Sequence, residues 1–190
     1  MLDAVASAST AILEVYATSH QVEYKADDSP LTRADRAAHD ILAARLSAIT
    51  PSVPVLSEEH EAGHARAVRG AWREFWLVDP LDGTREFISR NGEFTVNIAL
   101  VYGHAPVLGV VHAPVLDRDY YGVAGTGAFR ADGGGAGRPI RVRAPVQTPV
   151  RVAGSRSHRG SSLDALLARV GEHTLVAMGS SLKFCLVAEG

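Results

Sequence analysis

The run Phe75-Trp-Leu-Val-Asp79-Pro-Leu-Asp82-Gly-Thr84-Arg-Glu-Phe87 concentrates the residues able to do chemistry. Its first four residues, apolar or aromatic, predict a buried strand. That strand ends in two aspartates three positions apart, wrapped around a proline and followed by Gly-Thr. A strand that delivers Asp79 and Asp82 into a tight turn aims two carboxylates at one spot. Hard oxygen ligands of this kind suit Mg²⁺, which keeps several waters and binds through a few carboxylates and a substrate phosphate. Gly83 and Thr84 then open a short helix whose free backbone N–H groups attract an anion. A cation on one side and anion-binding amides on the other describe hydrolysis of a phosphate ester. The competing reading is a plain polar turn, since Asp-Pro and Asp-Gly are ordinary turn signals.

Three further segments favour chemistry. Val53-Pro-Val-Leu-Ser57-Glu58-Glu59 predicts a second strand ending in paired acids. Neighbouring side chains in extended chain face opposite ways, so one of these acids is a candidate ligand and the other a supporting or solvent-facing group. Thr32 with Asp35, ahead of Ala38, Ile41, Leu42 and Leu46, predicts a helix start in which Asp35 holds the Thr32 N–H. The same carboxylate is equally suited to orient a hydroxyl or a water as a base, and both readings stay open. In the third segment, Gly179-Ser180-Ser181 leads into an apolar helix, where hydroxyls and first-turn amides suit a phosphate or a sugar hydroxyl. The 19 basic residues comprise 17 arginines and only Lys25 and Lys183. Lysine at 183 therefore fits a need for a compact, mobile positive charge.

Together these segments resemble the Mg²⁺-dependent, lithium-sensitive phosphatase superfamily that includes inositol monophosphatase and fructose-1,6-bisphosphatase. The wording is most similar to 3′(2′),5′-bisphosphate nucleotidases of the bacterial CysQ type. The narrower resemblance rests on Lys25-Ala-Asp-Asp-Ser-Pro-Leu-Thr32, Leu56-Ser-Glu-Glu59, Asp79 to Phe87, and Arg90-Asn-Gly-Glu-Phe-Thr-Val-Asn-Ile-Ala-Leu100. Ser155-Arg-Ser-His158 and Gly179 to Gly190 complete it, in family order along nearly the whole chain.

The resemblance implies a layered αβαβα sugar-phosphatase-type fold of mixed α+β and α/β character, and two or three Mg²⁺ ions. It implies that Glu58 ligates the first metal, Asp79 bridges metals, the Leu81 carbonyl contributes and Asp82 holds the second metal. Gly83 and Thr84 offer amides to the phosphate, while Asp35 and the Thr84 hydroxyl polarise the attacking water. Ser157, His158, Ser180 and Lys183 fall where the rest of a nucleotide is handled, with Glu58, Leu81 and Asp82 also at the substrate. The implied reaction removes the 3′-phosphate of adenosine 3′,5′-bisphosphate, giving AMP and phosphate.

In this superfamily a Trp-Asp motif follows the glycine-serine helix, and its aspartate completes the second metal site. The sequence reaches Gly190 without one, and Asp164, in a predicted surface helix over Ser161–Val170, is no substitute. The expectation is a truncated second domain, with residues 1–145 forming a metal- and phosphate-binding domain and 146–190 beginning an α/β domain. Two alternatives stand beside the nucleotidase reading: an inositol monophosphatase, and a non-catalytic fragment that binds metal or a partner. Arg85-Glu86 and the Ser-Arg-Ser-His stretch argue against the first; the absent aspartate is the case for the second.

Composition agrees with an ordinary globular chain. With 190 residues, 46% of them hydrophobic, it can bury a good core. A net charge of −2 gives no basic footprint for nucleic acid, so the expected partner is a small phosphorylated nucleotide. One cysteine excludes an intrachain disulfide and fits a reducing cytoplasm, the expected location. No signal peptide or spanning run is read in the sequence, and the resemblance alone admits peripheral membrane association. Strands are predicted near Val53–Ser57, Phe75–Val78, Phe94–Val101, Val107–His112, Tyr120–Ala124 and Ile140–Val142, largely antiparallel. After Pro149 the pattern alternates strand and helix over Val150–Ala153, Leu163–Val170, Thr174–Met178 and Leu182–Ala188.

Overall fold

Apolar residues at helical spacing place two helices on one side of a sheet. The computed structural model describes residues 1–17, 22–24, 30–59, 66–157 and 161–190. Helix α1 (Leu2–Ala17) buries Ala4, Val5, Ala8 and Ile12. Helix α2 (Arg33–Ile49) buries Ala34, Ala38, Leu42 and Leu46, one row at four-residue spacing. The alanines let the two helices pack closely against each other. Between them lies a short antiparallel hairpin, β1 (Val22–Tyr24) with β2 (Pro30–Thr32).

The main sheet has seven strands in chain order. They are β3 (Val55–Ser57), β4 (Glu74–Asp82), β5 (Thr95–Tyr102), β6 (Ala105–Ala113), β7 (Arg118–Val123), β8 (Gly127–Asp132) and β9 (Arg138–Ile140). Within this sheet only β3 and β4 run parallel, with the short helix α3 (Arg66–Gly70) between them in the chain; every later pair of the sheet is antiparallel. Short turns make this possible. Gly103 and His104, both at positive φ, reverse the chain between β5 and β6, as the sequence predicts. Alternation then sorts β4: Trp76 and Val78 join the core beneath α1 and α2, with Val96, Ile98, Val110, Phe87 and Phe94. Each large side chain buried there contributes about 1.5–3 kcal/mol. His112 adds a polar tie, its ring nitrogens meeting Ser9 of α1 at 3.0 Å and Asp119 of β7 at 2.9 Å.

Beyond the other face of the sheet lie the remaining layers. Helix α6 (Leu182–Glu189) places Leu182 and Cys185 against Tyr120 and Ile140. Cys185 is a buried apolar contact whose thiol pKa burial pushes up to about 12. A parallel pair, β10 (Val150–Ser155) and β11 (His173–Met178), follows. One face of β10 receives α5 (Ser161–Val170), since a side chain at Gly154 would meet Leu163 at 3.3 Å. Ala153 and Val176 line the opposite side with Leu186 and Val187 of α6. The order is helices, sheet, helix, sheet, helix, the expected αβαβα layering. Among the described residues, no helix is long and apolar enough to cross a membrane.

The hairpin β1–β2 lies where the sequence reading places no strand, and two strands of the main sheet depart from that reading as well. Strand β8, Gly127-Ala-Phe-Arg-Ala-Asp132, was not predicted; its composition is weakly β-forming, and pairing on both sides holds it extended. Strand β9 ends at Ile140 instead of starting there, because Arg138–Ile140 are the residues that face β8.

Candidate active site

Strand β4 delivers the aspartates. Asp79 lies opposite Asn97 of β5, and the register shifts between Asp79 and Asp82 before Asp82 meets Thr95. This irregularity, around Pro80, lets two carboxylates on one strand turn toward one place. Glu58 arrives from β3, where the parallel pairing sets Ser57 beside Val78 and the Glu58 N–H donates to the Val78 carbonyl at 3.2 Å. His39 of α2 meets the Ser57 hydroxyl at 2.8 Å and fixes that strand end. Ser57, Glu58, Arg69, Val78 and Asp79 line a cleft of about 470 Å³.

The electrostatics of this corner are unfavourable as it stands. Burial first, then Asp82 and Glu58, raise the Asp79 pKa to about 7, against the Leu81 N–H and the Asn97 side chain. Burial also raises Asp82, opposed by the Ser181 N–H, Lys183 and Asn97. Among the described residues, Asp79 Oδ1 is a buried side-chain oxygen with no hydrogen-bond partner. An orphaned, mutually repelled carboxylate oxygen suits a divalent cation, so the residues present fit Mg²⁺. Among the described residues, no group of three or more His, Cys, Asp or Glu side chains forms a ready-made metal cluster.

The anion side follows at once. Gly83 precedes α4 (Thr84–Ile88) in the left-handed conformation, φ 92°. A side chain there would meet Ser180 at 3.1 Å and Glu86 and Glu93 at 3.3 Å, so both conformation and space call for glycine. Among the described residues, no side chain caps α4, which leaves its first amides open. The Thr84 hydroxyl donates to the buried Leu81 carbonyl at 3.4 Å. Asp35 sits in the first turn of α2, 3% exposed and partnered. Because α4 touches β2, whose last residue immediately precedes α2, Asp35 and Thr84 belong to neighbouring helix starts.

The glycine-serine turn docks on this loop from behind. The Ser181 N–H donates to Asp82 Oδ2 at 2.5 Å and the Gly179 N–H to Glu93 Oε2 at 2.7 Å. Arg156 grips Glu93 through two bonds of 2.7 and 2.8 Å, and Ser157 donates to Glu86 at 2.5 Å. Against the pull of burial, Arg156 and the Gly179 N–H hold the Glu93 carboxyl below its ordinary range. Ser180 is buried, 3.4 Å from the Thr95 hydroxyl, and Lys183 donates to the Ser180 carbonyl of its own turn. Ser157, Ser180 and Lys183 thus gather beside the aspartates and already have protein partners; His158 lies outside the described residues. The sequence reading gives Asn97, Glu86, Glu93 and Arg156 no place in the site, although all four lie in or beside the stretches that carry the resemblance. The polar interruption at Asn97 within Thr95–Tyr102 was the available signal, and only register gives it meaning.

Packing here is tight. A side chain at Gly179 would come within 2.5 Å of Glu86 Cγ and 2.9 Å of the Glu93 carbonyl. Gly179→Ala is therefore expected to destabilise the chain by ~1–3 kcal/mol through overpacking. Thermal unfolding checks this, and an unchanged melting temperature would show that the turn backs away from Glu93 freely.

A family model for the inositol monophosphatase family matches residues 2–190. The chain belongs to the inositol monophosphatase family. Membership makes it a phosphatase, in a family of metal-dependent enzymes. The chain is 51% identical over 186 residues to the 3′(2′),5′-bisphosphate nucleotidase CysQ of Salmonella typhimurium, covering 97% of this chain and 73% of that protein. It is 48% identical to CysQ of Escherichia coli K12, covering 100% and 77%. The crystal structure of CysQ from Bacteroides thetaiotaomicron superposes with a TM-score of 0.83 at 40% identity, covering 100% of this chain and 74% of that one. Within the inositol monophosphatase family this is thus a CysQ-type sequence.

Proposed function

We propose that the chain hydrolyses the 3′-phosphate of adenosine 3′,5′-bisphosphate with Mg²⁺, giving AMP and inorganic phosphate. The observation that carries the reaction is the buried, unpartnered oxygen of Asp79 between two other acids and beside a glycine-led helix start. The substrate class is taken from the CysQ nucleotidases, 48–51% identical to this chain. In this reading Glu58, Asp79, Asp82 and the Leu81 carbonyl hold two or three Mg²⁺ ions. When bound, Mg²⁺ supplies positive charge for the phosphoryl oxygens and lowers the pKa of water.

The chain's own groups do the rest. The amides of Gly83 and Thr84 hold the phosphate against the metal side. Asp35 and the Thr84 hydroxyl orient the attacking water in line with phosphorus, and Asp35 takes its proton. The P–O3′ bond breaks as water's oxygen bonds to phosphorus, the departing 3′-oxygen takes a proton from solvent water to become the 3′-hydroxyl of AMP, and Asp35 returns its proton to solvent. Ser157, His158, Ser180 and Lys183 form the nucleotide end of the site. Lys183 supplies the positive charge there, near Asp82 and Glu93.

The test is phosphate release from adenosine 3′,5′-bisphosphate, with and without Mg²⁺, beside inositol 1-phosphate. Mg²⁺-dependent turnover that prefers the nucleotide is the expected result. A preference for inositol 1-phosphate would move the substrate assignment to the sugar phosphates. Metal binding with no turnover of either substrate would favour the non-catalytic reading.

A further inference from the structure

Asn97 stands directly opposite Asp79 in the β4–β5 register, so the two side chains share one face of the sheet. Its side chain lies beside both carboxylates and counters the upward pull of burial on Asp79 and Asp82. Its Oδ1 accepts the Ser181 hydroxyl at 2.9 Å. A primary amide has two N–H donors and one acceptor oxygen. Here one donor is available to each carboxylate and the oxygen is committed to Ser181. Because Oδ1 can only accept, the Ser181 proton is spent on it. The Ser181 N–H meanwhile donates to Asp82 Oδ2.

Ser181 thus holds both neighbours at once, Asp82 through its backbone N–H and Asn97 through its hydroxyl, with the Asn97 amide beside the two carboxylates. The hydroxyl sets the direction of the amide. Were the amide turned over, its oxygen would face two carboxylates and its donors would face away from them. We infer that Asn97, oriented by Ser181, is a positioning residue that holds the Asp79 and Asp82 carboxylates in their cation-binding arrangement. The inference rests on the metal reading above and adds to it a route by which the second half of the chain sets the metal site. Outer partners that orient metal ligands are worth 10–100-fold in metal affinity, and Asn97 fits that role.

The experiment is calorimetric titration of the full chain with Mg²⁺, paired with its melting temperature in EDTA. Asn97→Ala is expected to weaken Mg²⁺ binding about tenfold or more. Ser181→Ala keeps the backbone bond to Asp82 and is expected to weaken binding severalfold. The double variant should bind no more weakly than Asn97→Ala alone, because Ser181 acts through Asn97. A purely structural role would lower the melting temperature in EDTA and leave the affinity within twofold of the parent, which would overturn the inference. Fully additive losses would overturn it too. Should Asn97→Ala fail to fold, Ser181→Ala decides alone: severalfold weaker binding supports the inference and unchanged binding removes it. A parent chain that takes up no Mg²⁺ would instead overturn the metal reading itself, and this inference with it.

Discussion

Asp79→Asn is expected to abolish Mg²⁺-dependent turnover, by ~10³-fold or more in kcat/KM, and at the same time to raise the melting temperature of the metal-free chain. The two effects have one cause. The folded chain holds the Asp79 carboxylate in a buried corner with Asp82 and Glu58 nearby and leaves Oδ1 without a hydrogen bond. Without metal, that arrangement is repulsive and poorly solvated, and a neutral amide of the same shape relieves it. The relief is about 1–3 kcal/mol, or roughly 3–10 °C in a chain of this size. With metal, the same arrangement supplies the charge that the cation needs, and the amide cannot replace it. Phosphate-release kinetics and thermal unfolding in EDTA check the pair. Loss of activity with an unchanged or lower melting temperature would mean that Asp79 is not strained in the empty site. Retained activity would remove Asp79 from the metal assignment.

The second large effect is on pH dependence. The Asp79 pKa is near 7 in the folded chain and 3.8 in the reference state. Below pH 3.8 both states hold the proton, and this group leaves stability unchanged with pH. Between 3.8 and about 7 the folded chain keeps the proton while the unfolded chain has lost it. The unfolded state then binds fewer protons, so stability falls as pH rises, by up to about 4 kcal/mol across the window. Above pH 7 both states are ionised and the contribution is flat again. Mg²⁺ selects the ionised carboxylate, so it should restore most of the loss and release close to one proton when it binds near pH 6. Denaturant unfolding from pH 4 to 8, with EDTA or with Mg²⁺, reads the first effect. Titration in buffers of different ionisation enthalpy reads the second. A metal-free stability that does not fall across this range would show that Asp79 ionises normally.

Local chemistry made much of this legible in the sequence. The Asp79–Thr84 run combines a strand, a left-handed glycine and a helix start within a few residues, and each of these is a short-range signal. The alanine and leucine row of α2 and the Gly103-His104 turn are equally local. What was not legible depends on register. Asn97 reads as a polar break in an apolar strand until β5 is laid against β4, when it falls opposite Asp79. Glu93 reads as a loop acid until Arg156 and Gly179 arrive from more than sixty positions away. Strand β8 has little β propensity of its own and exists because β7 and β9 flank it. The sequence suits Ser180 and Lys183 to a phosphate or the rest of a nucleotide; that each also has a protein partner depends on how their turn docks.

The bond from Ser181 to Asp82 joins residues 99 positions apart. Strands β5 to β9, in chain order and antiparallel, can zip up through short connections, each closing a small loop, before that contact is made. The turn carrying Ser181 must travel back across the finished meander to reach Asp82. The cation pocket is therefore expected to assemble late, after the rate-limiting step in folding. A bound cation should leave the speed of folding nearly untouched and act on the reverse step, slowing the escape of the native chain.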